Sequence, residues 1–246
     1  MRCYIVGMEK VIVTGGAGFI GSHIVDRLVG FGYDVHVIDN LLSGNENNIN
    51  PKAIFHNVDI RDFETLKTLF KGAKYVFHKA ALLQVQVSIE NPIGTHDINI
   101  TGLLNVLEAC RISNVKRLVF ASSCAVYGDQ KKLPLVETMQ ALPLSPYGLY
   151  KYVGEAYCAL WSRIYGIHTV SLRYSNVYGP RQSGVGAYAS VIAKFIDLKK
   201  ESKPFTVYGD GEQTRSFINV SDVVNANIKA MLSDNVGNGE VLNIGT

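Results

Sequence analysis

Long apolar runs are missing from this sequence, and nowhere do the ~20 consecutive apolar residues needed to cross a bilayer occur. Clusters of positive charge are missing too. The 246 residues include 24 Lys and Arg against 21 Asp and Glu, a net charge of +3, with no Lys/Arg block longer than two. That leaves no footprint for nucleic acid or an anionic membrane surface. Cysteine is scarce. Cys3, Cys110, Cys124 and Cys158 show neither CxxC spacing nor a His partner at metal-ligand spacing, so no metal site is expected and the thiols read as reduced, as in the cytoplasm. Only 18% of residues are charged and 47% are hydrophobic, which excludes a disordered chain. The amino terminus, MRCYIVGMEK, lacks the apolar core and small-residue cleavage site of a signal peptide; Met8 reads as an alternative start, with residues 1–7 a short extension.

What is present is a regular alternation. Residues 10–14 (KVIVT) form a compact β-branched run, the mark of a buried parallel strand. Glycine-rich residues 15–21 follow, and then Phe19, Ile20, Ile24, Val25, Leu28 and Val29 recur at helical spacing until Gly30 and Gly32. Strands are expected at 34–38, 53–58, 75–78, 117–121 and 168–172, with helices near 62–70, 92–113 and 145–165 between them. This rhythm predicts an α/β fold, a Rossmann-type doubly wound parallel sheet. After Asn176 the rhythm changes: a Gly-rich loop (GPRQSGVG), a helix at 187–200, short strands near 205–208 and 215–220, a helix at 221–232 and a strand at 240–244. Residues 8–175 are thus expected as a dinucleotide-binding domain and 176–246 as a small substrate-binding lobe, of which a strand and helix return to the main sheet.

Gly15, Gly18 and Gly21 stand between a strand and a helix as GxxGxxG. Glycine there lets the turn tighten and the backbone approach a pyrophosphate, while the helix N-terminus offers free N–H groups and about half a positive charge. Asp39 ends the second strand, where a carboxylate accepts the adenosine ribose hydroxyls and repels a 2′-phosphate, so NAD is expected rather than NADP. Tyr147 and Lys151 form YxxxK, one helical turn apart on one face. A phenol titrates near ~10, so Tyr147 is expected to become a base through the Lys151 ammonium and the positive nicotinamide, which lower its pKa. Ser123, just past the fifth strand, is expected to share the hydrogen bond to the reacting oxygen.

These motifs have a recognisable pattern. TGGAGFIGS, VIDNLLSG, VDIRD, HKAA, SSCAVYGD, SPYGLYK, LRYSNVYGPRQ and GDGEQTRSFINVSDV together resemble the extended short-chain dehydrogenase/reductases, and within them the NAD-dependent UDP-hexose 4-epimerases. The resemblance runs from about residue 8 to the last residue. It implies C4 epimerisation of a nucleotide sugar through a transient 4-keto sugar. It also implies pyrophosphate contacts from Phe19 and Ile20, and cofactor contacts from Asn40, Ser43, Gly44, Ala80, Ala81 and Tyr174. Asp59 and Ile60 would flank the adenine, and Asn99 would support the catalytic water and backbone network. Ser123, Tyr147, Asn176 and Arg215 would meet the sugar nucleotide. A homodimer through helices near 92–113 and 145–165 is implied as well; the latter carries Tyr150, Tyr152, Tyr157, Trp161 and Tyr165.

The sequence also departs from the family pattern. Cys124 follows the catalytic Ser, Ser216 follows Arg215 in place of an acid, and His78–Lys79 puts charge where relatives are usually apolar. Cys124–Ala125 stands where nucleotide-sugar 4,6-dehydratases carry an Asp–Glu pair, which argues against that alternative. A Cys acting as acid or base, as in GDP-fucose synthase-like enzymes, would want a His within residues 180–200, and none is there. Cys124 is therefore expected as a small buried hydrophobe. The chain stops at Asn243–Thr246, before the elements with which relatives complete the sugar pocket and supply a second phosphate-binding Arg. The lobe is thus expected to be incomplete, and a non-catalytic NAD-binding protein is the remaining alternative.

Overall fold

The structure, a computed structural model, describes residues 8–182, 190–207 and 209–246. In chain order the elements are β1 (Lys10–Thr14), α1 (Phe19–Gly30), β2 (Asp34–Asp39), β3 (Ile54–Asn57), α2 (Phe63–Leu69), β4 (Ala73–His78), α3 (Val85–Glu90) and α4 (Pro92–His96). Then come α5 (Gly102–Ile112), β5 (Arg117–Ser123), α6 (Pro146–Tyr165), β6 (His168–Tyr174), β7 (Asn176–Tyr178), α7 (Val191–Lys200), β8 (Phe217–Asn219), α8 (Val220–Leu232) and β9 (Asn238–Ile244). Among the described residues the main sheet is parallel throughout, in the order β3-β2-β1-β4-β5-β6-β9. The order reverses between β1 and β4, the place where open α/β sheets bind ligands beyond the strands' carboxyl ends.

The inner strands β1, β2, β4, β5 and β6 bury both faces, so their residues serve two cores alternately. Val11, Val13, Val37, Phe77 and Val119 pack with Ile24, Val25 and Leu28 of α1 and with Val223, Val224, Ile228 and Met231 of α8. Ile12, Ile38, Val76, Leu118 and Phe120 pack on the other face with Leu66, Leu103, Val106, Leu107 and Cys158. This period of two inside continuous apolar runs is what parallel burial demands.

Residues 176–246 are divided between two places. α8 covers the sheet beside α1, and β9 pairs with β6, Leu172 opposite Leu242. β7 and β8 form a separate two-stranded parallel ladder. Three local expectations need correction. The helix expected over 92–113 is interrupted by a wide π turn at Asp97–Thr101, whose Asn99 side chain is bound to the Leu82 backbone rather than to its own turn. Residues 205–207 form no strand, because they take no ladder partner, and Tyr208 lies outside the described residues. The helix expected from 187 begins at Val191, where the Ser190 side chain caps it by accepting from Ala193 N–H; residues 183–189 lie outside the described residues.

Candidate active site

A groove of about 340 Å³ runs over the carboxyl edge of the sheet. At its centre is the glycine turn. A Cβ on Gly21 would stand 2.1 Å from the Gly15 carbonyl oxygen, and one on Gly15 would stand 2.5 Å from the Ala80 amide nitrogen, so helix, turn and the chain after β4 are packed too closely for a side chain. Gly18 caps α1 without a side-chain acceptor, and no acid occupies the first turn. The end amides and the positive end of the helix dipole therefore face the groove, a built seat for a pyrophosphate. The Asp39 carboxylate holds this turn: it accepts from Ala17 N–H at 3.0 Å and from Leu41 N–H at 2.9 Å. Gly44 fits against it, since a Cβ there would lie 2.8 Å from Asp39 Oδ1.

Beyond Asp39 the groove is walled by Asn40, Ser43, Asp59 and Ile60. Asp59 accepts from Asn40 Nδ2 at 2.8 Å and from the Arg61 guanidinium, whose hydrogen bonds hold the carboxyl down at about 2. Arg61 also reaches Asp97 at 2.9 Å, tying this wall to the π turn. Ala80 and Ala81 line the floor. Asn99 does not line it; its amide bonds the Leu82 N–H and C=O and so shapes the wall from behind.

The other end of the groove holds Ser123, Tyr147, Lys151 and Tyr174. α6 starts where Ser145 accepts from Gly148 N–H, with Pro146 at its first position, and Ser88 of α3 accepts from Tyr147 N–H at 3.1 Å. Gly154 lets the helix lie close on β5, as a Cβ there would stand 2.6 Å from the Phe120 ring. Lys151 is buried and donates to the Ala121 carbonyl at 2.8 Å, with its nitrogen 5.8 Å from the Tyr147 ring centroid. Ser123 is hydrogen-bonded to the Tyr147 hydroxyl.

Burial sets the charge of the groups at this end in the dinucleotide-free chain. Burial pushes the Tyr147 phenol up to about 12, against the smaller downward pull of the Ser123 hydrogen bond. Burial likewise lowers the Lys151 ammonium to about 8. The dinucleotide-free chain thus holds Tyr147 as a phenol, since loss of solvent outweighs the pull of the Ser123 hydrogen bond. His78 is also no charge: burial takes it to about 3, and its Nδ1 meets Thr14 Oγ1 at 2.7 Å. Cys124 is partly buried and its thiol is raised by desolvation, in keeping with an apolar role.

Two expected substrate residues lie apart from this groove wall. Asn176 donates to the Ser216 carbonyl at 3.0 Å, and Arg215 is exposed and donates to the Thr214 carbonyl at 2.7 Å. One supporting residue was missed. Glu155 forms a buried bidentate ion pair with Arg173, at 2.8 and 2.7 Å, and accepts from Ser122, whose neighbour is Ser123. Its signal was available, because Glu155 follows Lys151 by four residues and Tyr147 by eight on one helix face.

No helix among the described residues is long and apolar enough to cross a membrane, and no cluster of three metal-ligating side chains occurs among them. A Methanocaldococcus jannaschii protein provisionally called a UDP-glucose 4-epimerase is 51% identical over 238 residues, covering 96% of this chain and 76% of the relative. The crystal structure of UDP-glucose 4-epimerase with UDP-glucose from Thermotoga maritima superposes with a TM-score of 0.92 at 43% identity, covering 96% of this chain and 77% of that one. The Thermus thermophilus UDP-glucose 4-epimerase in complex with NAD gives 0.88 at 39% identity, over 96% of this chain and 78% of that one. The chain thus spans about three-quarters of the length of these relatives. The family model that matches residues 11–245 takes in the glycine turn, the acidic end of β2 and the Tyr–Lys pair alike, and by it this chain belongs to the NAD-dependent epimerase/dehydratase family.

Proposed function

We propose that the chain binds NAD and interconverts a UDP-hexose with its C4 epimer. The observation that carries this reading is the placement of Tyr147, Lys151 and Ser123 at one end of a groove whose middle is the glycine turn and whose far end is Asp39. Gly15, Gly18, Phe19, Ile20 and Gly21 hold the pyrophosphate; Asp39, Asn40, Ser43 and Gly44 serve the adenosine ribose; Asp59 and Ile60 flank the adenine. Ala80, Ala81, Tyr174 and Lys151 hold the nicotinamide half, with Asn99 acting through Leu82. Residues 8–175 carry the dinucleotide and 176–246 the sugar side, where Asn176 and Arg215 on the rim meet the substrate.

NAD, held by these residues, would supply the hydride acceptor and donor for C4 and a positive charge that favours the Tyr147 phenolate. Tyr147 removes the proton of the 4-hydroxyl and gives it back. The Ser123 hydroxyl bonds the same oxygen and holds the phenol in line. Lys151, anchored on Ala121, steadies the developing negative charge on Tyr147. No acid beside Ser123 is placed to take a C5 proton, since the next residues are Cys124 and Ala125.

The protein works as a homodimer in the cytoplasm. Ile89, Ile93, Leu149, Tyr152, Ile164 and Tyr165 are exposed on α3, α4 and α6, an apolar face that supports pairing through these helices. Product NMR with UDP-glucose and UDP-N-acetylglucosamine tests the function. The 4-epimer is expected from the intact chain and is lost in Tyr147→Phe. A 4-keto-6-deoxy product, or no conversion by a folded, NAD-loaded chain, overturns the reading.

A further inference from the structure

Behind the reacting end of the groove lies a charge pair that takes no part in the proton transfer. Glu155 of α6 and Arg173 of β6 are joined by two hydrogen bonds, Nε to Oε1 at 2.8 Å and Nη2 to Oε2 at 2.7 Å, with side chains only 4% and 5% exposed. Ser122 donates to the same carboxylate. The Arg173 guanidinium lies over the Tyr127 ring, 4.6 Å from its centroid, and Tyr127 Oη donates at 2.6 Å to Asn243 Oδ1 of β9. Ser122, Arg173 and Asn243 stand opposite one another in the ladders, so one polar row crosses β5, β6 and β9 and Glu155 closes it from the helix.

The pair is also adjacent in the chain to residues of the groove. Ser122 precedes Ser123, Arg173 precedes Tyr174, and Glu155 follows Lys151 by one helical turn. Ser123 and Tyr174 are themselves opposite one another in the β5–β6 ladder. The three elements that supply Ser123, Lys151 and Tyr174 therefore meet at a single carboxylate. Neither Glu155 nor Arg173 lines the groove itself.

Stability does not account for this arrangement. Two buried charges lose their hydration, and well-packed apolar side chains of the same volume often hold elements together as well or better. Arg173 Nη1, buried and without a hydrogen-bond partner among the described residues, adds to the cost. What a bidentate fork supplies is a single orientation, where an apolar contact can slide. We propose that Glu155 and Arg173 are positioning residues for the epimerisation, which fix Ser123 through Ser122 and Lys151 through their shared turn of α6. This rests on the epimerase reading above and concerns the geometry of the proton transfer.

The test is the kinetics of two variants, NAD-loaded and supplied with UDP-glucose over a range of concentrations, beside their thermal melts. Glu155→Gln keeps the volume and the acceptor for Ser122 but turns an amide N–H against Arg173 Nη2. It is expected to lower kcat about 10–100-fold, the effect of a reacting group misplaced by about 1 Å. KM and NAD affinity are expected to stay at their wild-type values, because other residues line the groove. Glu155→Met combined with Arg173→Met removes both charges and leaves neither unpaired. This double variant is expected to melt at or above the wild-type temperature with the same loss of kcat, and it decides the matter alone should Glu155→Gln not fold. An unchanged kcat in a folded variant, a loss that falls on KM, or a melting temperature that drops with kcat in the double variant overturns the proposal while leaving the epimerase reading standing. Failure of both variants to fold does the same, since the pair is then a requirement of the fold. Failure of the NAD-loaded wild type to convert UDP-glucose or UDP-N-acetylglucosamine overturns the epimerase reading, and the proposal with it.

Discussion

Tyr147 and Lys151 carry opposite burdens from the same cause. Burial penalises whichever form is charged, so the phenol rises to about 12 and the ammonium falls to about 8. The lysine's shift is also a stability statement. Its folded pKa lies below the ordinary 10.5, so the cost is full below pH 8 and vanishes above pH 10.5. A depression of this size corresponds to about 3 kcal/mol. Lys151→Met is therefore expected to raise the stability of the dinucleotide-free chain by up to that amount at pH 7, with the gain shrinking toward pH 10; urea unfolding at both pH values measures it. The same variant should be inactive, a trade of stability for function. For Tyr147→Phe the expected loss of turnover is about 10²–10⁴-fold with NAD still bound. The rate of dinucleotide reduction by UDP-sugar should rise from pH 6 to 8 in the wild type and lie flat in that variant, as followed by NADH absorbance.

At the scale of the element, α1 and its glycine turn work by closeness of approach. Gly21 and Gly30 lie on the same helix and have opposite surroundings: a Cβ at Gly21 meets the Gly15 carbonyl at 2.1 Å, whereas nothing lies within 4 Å of one at Gly30. Gly21→Ala is expected to destabilise the chain by about 1–3 kcal/mol and to weaken NAD at least tenfold, because turn and helix must part. Gly30→Ala should be neutral or stabilising by up to about 1 kcal/mol through helix propensity alone. Thermal melts with and without NAD separate the two. On α6, Tyr147, Lys151 and Glu155 share one face, so a single helix delivers the proposed acid–base group, its neighbouring amine and the clamp on β5 and β6.

At the scale of the whole molecule, the outer faces of α3, α4 and α6 are what solvent alone explains poorly. Ile93 is 84% exposed, and Trp161 Nε1, though buried, has no hydrogen-bond partner among the described residues. A second copy of the same face is expected to cover this patch. Sedimentation velocity should give a dimer, and Ile93→Glu with Ile164→Glu should give a monomer with its groove intact.

The fold was legible because parallel burial writes itself locally: β-branched runs, glycine turns and helical spacing each need only neighbouring residues. The GxxGxxG turn, Asp39 and YxxxK were legible for the same reason, as each is a short spacing with one physical use. What tertiary structure decided were the facts that depend on distant chain. The π turn comes from Asn99 bonding Leu82, and the choice of β6 as the neighbour of the expected last strand comes from the register of Leu172 with Leu242. Asn176 and Arg215 stand off the groove wall because β7 and β8 pair there, and Tyr147 is a phenol because everything around it excludes water. Spacing along a helix names the residues that can react; only their burial sets the charge they carry.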